Sequence, residues 1–229
     1  MKLLIAACSV LLMSGCANMG QTPWAGFAGA SSCSKPSSDQ ELSLNLADEM
    51  ANDGKLHASL ANLQNMADNL PQVRLRKAKV YRLLGRSEAE PMYRSLLGTC
   101  LAAEGEHGLG QLAVAKGDNG QALEHLQRAA KLSPTDEKIR NDLGVVYLNQ
   151  LRLDEARFEF LTAMELNQSS SLAAVNMVSL LIYQNNWKQA SQFVSRFNLS
   201  PEQFNQAQTR AEQLKGSTTR AKGQVATVQ

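Results

Sequence analysis

Small and large apolar residues recur along the middle of this chain at an interval of 34 positions. One stretch carries Leu109-Gly110, Ala122, Leu126 and Ala129; adding 34 to each number gives Leu143-Gly144, Ala156, Phe160 and Ala163. Ala156, Phe160 and Ala163 are spaced four and then three apart, which sets them on one face of a helix. Gly110, Gly144 and the repeated alanines lack the bulk to keep two antiparallel helices apart. Leu109, Leu126, Leu143, Tyr147 and Phe160 then fill the gaps between ridges. Gly117-Asp118-Asn119 is composed as a turn, and Pro134 marks the exit toward the next unit. Each unit therefore reads as a helix-turn-helix hairpin.

Weaker copies flank this pair. Upstream, Leu46-Ala47, Met50, Ser59, Leu63 and Pro71 fit the register from about Gln40, and the next copy carries Ala78, Tyr81, Gly85, Ala89 and Tyr93 but runs short. Downstream, Met177, Leu181, Ala190 and Val194 match, with Val178 in place of the small residue. Ser200-Pro201-Glu202 has the composition of a helix start, a serine cap with proline in the first turn. A helix from Pro201 to Lys215 would close the stack, since a solenoid needs a polar outer face at its end. The pattern predicts an all-α fold of about five hairpins plus a closing helix over residues 40–215, with 216–229 a polar, disordered tail.

The repeated positions resemble the tetratricopeptide (TPR) signature. What that resemblance implies is a superhelix whose concave side is lined by the first helix of each repeat, a surface that binds other proteins. Carried over to the fourth repeat, the lining positions are Lys138, Asn141, Val145, Leu148 and Asn149. In the fifth they are Leu172, Val175, Ser179, Ile182 and Tyr183. Earlier repeats present polar or charged residues there, among them Asp48, Asn52, Lys79, Arg82, Glu104 and His107. A groove apolar at one end suits an amphipathic helix or an extended segment with apolar anchors. Alternatively, the closing helix packs on that end. The two-lysine clamp of chaperone-type TPRs is missing, which disfavours capture of a C-terminal carboxylate.

Composition agrees with packed helices. Apolar residues make up 44% and aromatics 5%, leucine and alanine dominate, and β-branched residues are sparse. The formal net charge is only +2. Nucleic acid is therefore not an expected partner, and electrostatic attraction to anionic lipid would be weak.

The first fifteen residues have the pattern of an export signal. Lys2 precedes an apolar run, Leu3 to Met13, of about eleven residues, too short for a permanent span. Met13-Ser14-Gly15-Cys16 resembles the bacterial lipobox, in which the cysteine is lipidated and becomes the mature N-terminus. The alternative is ordinary cleavage with Cys16 an incidental thiol. Several acyl chains, at about 0.8 kcal/mol per buried CH₂, would hold the chain on a membrane without a transmembrane helix. Ala17 follows, where lipoproteins kept at the inner membrane often carry aspartate, so the resemblance implies the outer membrane, with the body facing the periplasm. Residues 16–39 then form the lipidated cysteine and a tether rich in Gly, Ser, Pro and Ala, spanning roughly 25–30 Å as a flexible coil. Trp24 and Phe27 stand out there, either docking on the body or headgroups or contacting a partner.

Signs of catalysis are lacking in the sequence. Gly108-Leu109-Gly110-x-x-Ala113 has the form of a dinucleotide fingerprint, but it lies inside a repeat helix with no strand before it. His57, His107 and His125 are scattered, without metal-ligand spacing, and read as surface or helix-flanking residues. Asp136-Glu137 and Asp154-Glu155 fall at helix starts, where negative charge suits the dipole. The expectation is a non-enzyme without cofactor, metal or small-molecule substrate. With Cys8 in the signal and Cys16 lipidated, Cys33 and Cys100 remain in an oxidising compartment. They form either a disulfide from tether to the second–third repeat boundary or two free thiols.

Lipobox, short tether and about five repeats, in this order, resemble the TadD-type TPR lipoproteins of the tight-adherence (Flp) pilus system. The resemblance implies a pilotin-like role, binding the secretin subunit of a pilus or type II-like secretion machine. Two other readings stay open. One is a type IV pilus pilotin or β-barrel assembly lipoprotein. The other is an adaptor recruiting periplasmic proteases or peptidoglycan hydrolases.

Overall fold

The computed structural model describes the backbone of residues 33–226 and the side chains of 33–217. The signal segment, Cys16, Trp24 and Phe27 lie outside the described residues. Eleven helices follow one another among the described residues: α1 (Ser38–Asn52), α2 (Leu56–Gln64), α3 (Pro71–Leu83), α4 (Ala89–Arg94), α5 (Ala102–Ala115), α6 (Asn119–Leu132), α7 (Glu137–Asn149), α8 (Leu153–Leu166), α9 (Leu172–Tyr183), α10 (Trp187–Arg196) and α11 (Pro201–Ala226). The first ten pair in sequence as five antiparallel hairpins, each packed on the next, and α11 lies along α9. None of the described helices is long and apolar enough to cross a membrane.

Local chemistry sets the boundaries. Ser37 and Gln40 form a reciprocal capping box at the start of α1. Ser200 and Gln203 do the same at α11, with bonds of 3.2 and 2.9 Å. Asp136 caps α7 by accepting from the Lys138 and Ile139 amides, and Asp154 and Glu155 occupy the first turn of α8. The α5–α6 turn needs a left-handed residue, which Gly117 supplies at φ +77°. Asp118 then caps α6.

The 34-residue pattern is the packing pattern. Ala122, Leu126, Ala129, Ala156, Phe160 and Ala163 are all buried. A Cβ added to Gly110 would stand 2.7 Å from Leu126 Cγ, and one added to Gly144 would stand 2.6 Å from Phe160 Cε1. In the fifth hairpin Val178 replaces the glycine, and Val194 replaces the large residue opposite. Volume has moved from one helix to the other. Burial of a leucine or phenylalanine in such a seam contributes about 2–3 kcal/mol. In the first hairpin Ala47, Ser59 and Leu63 are buried, whereas Leu46 stays 43% exposed and Leu44 fills the seam instead.

One boundary differs from the sequence reading. Residues 216–226 continue α11 rather than forming a disordered tail. Gly216 keeps a helical backbone, and the described residues after it include neither a proline nor a left-handed stop.

Candidate binding groove

The first helices of successive hairpins share the inner side of the stack, and their side chains link from one to the next. Arg76 on α3 donates to Asp48 on α1 at 2.8 Å. His107 on α5 pairs with Asp142 on α7 at 2.7 Å, and Gln111 donates to the same carboxylate oxygen at 2.8 Å. Asn176 on α9 donates to Asn141 on α7 at 2.8 Å. Desolvation between the groove walls lowers the pKa of Lys79 on α3, and the charges of Asp48, Arg76, Lys138 and Glu104, from four first helices, act on it as well. The groove is therefore a polar surface on which several side chains, Asp48, Asp142 and Asn141 among them, are already partnered from a neighbouring helix.

Asp142 is the best-connected of them. Burial alone would raise its pKa, but hydrogen bonds from His107, Gln111 and Asn141 together hold it below the ordinary aspartate value. His107 is not at the surface, as the sequence suggested; its side chain is 15% exposed. His125 is similarly enclosed, paired with Glu106 at 2.6 Å, while Arg128 donates to the other oxygen of Glu106 at 2.9 Å. Burial of Glu106 demands such partners, but they lie a helix apart, beyond the reach of a spacing argument. Only His57 is a fully surface residue.

The structure redistributes the predicted lining positions. In the fourth hairpin, Lys138 is exposed and Val145 half-buried, so both remain on the open groove. Asn141 and Leu148 are buried. Asn149 donates to Asn119 at 3.0 Å and accepts from Arg210 of α11. In the fifth hairpin only Leu172 is well exposed; Val175, Ser179 and Ile182 are buried and Tyr183 is half-buried.

The cause is α11. It runs parallel to α9, with Gln203 donating to Ser171 at one end and Lys215 to Asn185 at the other, both at 2.8 Å. Ala207, Ala211 and Leu214 are its buried face. The closing helix thus takes the place of a sixth first helix. The apolar end of the groove is core rather than open surface. What stays open spans the second to fourth hairpins and is mainly charged or polar.

Cys33 and Cys100 are joined, with Cα atoms 5.5 Å apart, a separation suited to a disulfide. This fastens the segment before α1 to the turn between α4 and α5. Among the described residues there is no cluster of three or more His, Cys, Asp or Glu able to hold a metal.

A right-sized seam of glycine and alanine, five stacked hairpins and a side-chain-linked inner face together define a tetratricopeptide-repeat solenoid. The TPR repeat family model matches residues 110–150. The chain is 40% identical over 208 residues to the TPR repeat-containing protein PA4299 of Pseudomonas aeruginosa, covering 90% of this chain and 82% of that one. It belongs to the TPR repeat-containing proteins. Solved structures share the fold at lower identity. TTC0263, a thermophilic TPR protein of Thermus thermophilus, is 17% identical with a TM-score of 0.59, covering 76% of this chain and 97% of its own. The Pseudomonas aeruginosa pilF structure is 16% identical with a TM-score of 0.59, covering 79% and 90%. A TPR stack of this kind is a scaffold for binding other proteins.

Proposed function

We propose that the chain is a lipid-anchored assembly factor of the outer membrane, a pilotin-like protein that holds the secretin subunit of a Flp/Tad (type IVb) pilus or type II-like secretion machine. The observation that carries this reading is the lipobox-like Met13-Ser14-Gly15-Cys16 ahead of a TPR stack with an open groove. The lipid would supply location and the groove affinity, and joining them raises the client's effective concentration at the membrane. The groove between α3, α5 and α7 offers Lys79, Glu104, Lys138 and Val145. That mixture suits an extended segment with alternating charged and apolar side chains better than a wholly apolar helix. The scaffold needs no catalytic group of its own for this task.

The test is crosslinked pull-down of the full chain from outer membranes. Recovery of the secretin, reduced by Lys79→Glu together with Lys138→Glu, supports the reading. Recovery of proteases or cell-wall hydrolases without secretin overturns it. Cys16→Ala should move the chain from the membrane to the soluble fraction with its helicity unchanged. Retention on the membrane would refute the lipid anchor.

A further inference from the structure

The outer side of the last two hairpins carries a feature that the binding groove does not explain. A cleft of about 520 Å³ opens between α8 and α10, with Leu161 and Met164 of α8, Phe193 of α10 and its C-cap Phe197 as apolar lining and the polar 168–171 loop along one side. The two phenylalanine rings stack with centroids 5.8 Å apart.

The repeat supplies an internal comparison. Subtracting 34 from these four positions gives Gln127, Ala130, Glu159 and Ala163. Those residues have other tasks: Gln127 donates to the Tyr147 hydroxyl of the next hairpin at 3.1 Å, Glu159 is bonded by Arg140 of its own hairpin at 3.1 Å, and the alanines are buried. In the last groove all four have become large and apolar. The fold does not require this, because the preceding hairpin packs without it.

Beside the cleft stands a matching projection. Phe158, three residues before Leu161 and seven before Glu165, shares their face of α8. It is 64% exposed, and Leu161 is 40% exposed. The cleft also carries one charge of each sign, Arg196 and Glu165. Among the described residues neither has an ion-pair partner, and the Arg196 guanidinium rests over the Phe197 ring at 5.6 Å.

One patch thus presents a projection, a hole, a cation and an anion. A two-fold axis makes such a patch self-complementary, since every contact from residue i to residue j is matched by one from j to i. We propose that this outer face is a self-association surface. Two copies pair with Phe158 of each entering the cleft of the other, beside Leu161 on its rim, and Arg196 of each meeting Glu165 of the second copy. With a net charge of only +2, long-range repulsion between copies is weak. This holds whichever client the inner groove takes, which stays open in the pair.

The test uses the full chain in its own membrane, with p-benzoylphenylalanine in place of Phe158 and two differently tagged copies co-expressed. Irradiation should give a species of twice the chain mass that carries both tags. R196E and E165R should each reduce that product roughly tenfold, since like charges would face each other. The double variant R196E/E165R should restore it, with helicity by circular dichroism equal in all four proteins. Absence of the two-tag product, crosslinks to other proteins alone, or a double variant no better than the singles would overturn the proposal.

Discussion

Gly108 lies directly against Tyr93: a Cβ on the glycine would stand 2.1 Å from the tyrosine Cε1. The ring belongs to the short helix α4, and its hydroxyl accepts from Arg82 at 3.4 Å, so it is held at both ends in a site that is 1% exposed. Gly108→Ala is therefore expected to destabilise the protein by about 3 kcal/mol, because overpacking a filled seam forces backbone or ring to move. Gly120→Ala is the control. Its Cβ would meet only Asp118 Oδ1 at 3.4 Å, and removing glycine from a helix should raise stability by about 0.5–1 kcal/mol. Urea unfolding of the two variants checks both signs.

The Cys33–Cys100 bond closes a loop across 67 positions of sequence. Loop-closure entropy makes such a crosslink worth about 4 kcal/mol, with the usual spread downward. Reductant should lower the melting temperature of the native chain and leave Cys33→Ser unchanged. Non-reducing mass spectrometry should find the two cysteines in one crosslinked peptide pair. Two free thiols in protein isolated from an oxidising compartment would refute the bond.

The inner hairpins were legible because their signal is local and repeated. Gly110 faces Leu126, and Gly144 faces Phe160, through a spacing that a sequence displays directly. The candidate site was less legible, because who covers a residue depends on contacts far along the chain. Val175 and Ile182 sit at lining positions by register, but whether they face solvent is decided by α11. Likewise Glu106 and His125 carry no motif; their pairing follows from the α5–α6 crossing. The outer cleft did leave a trace, the change from Glu159 and Ala163 to Phe193 and Phe197 one period later. It is seen only when the repeats are compared position by position, because Glu159 lies outside the signature and Phe197 breaks it at the place of Ala163.

Asp142 gives the groove a pH dependence of fixed sign. Its pKa is lowered in the folded protein, so the stability it contributes is present above the unfolded aspartate pKa and is lost as pH falls through the lower folded value. Asp142→Asn should therefore lower the melting temperature at pH 6. The gap between variant and native protein should narrow as pH is brought below about 3.9, the ordinary aspartate value. A gap that stays constant over this range would show that the carboxylate's charge is not what links α5 to α7.

The closing helix packs on α9 through Ala207, Ala211 and Leu214 and carries a partly desolvated cation, Arg210, in that seam. Ala207 and Ala211 are fully buried against α9, so their contact area is modest. Arg210 reaches Asn149 while burial lowers its pKa, a desolvation that an amide offsets less well than a carboxylate would. Ala211→Asp should place a charge in that seam without a partner. The expected result is detachment of α11 with hairpins one to four unaffected: faster hydrogen exchange across α11 and the face of α9 that it covers, and unchanged protection in α5 to α7. If protection fell equally in all hairpins, α11 would be part of one cooperative core. If it stayed unchanged in α11, the seam would be stronger than its residues suggest. Selective exposure of α9 would also uncover Val175 and Ile182, turning the covered end of the groove into the apolar surface that their register alone suggested.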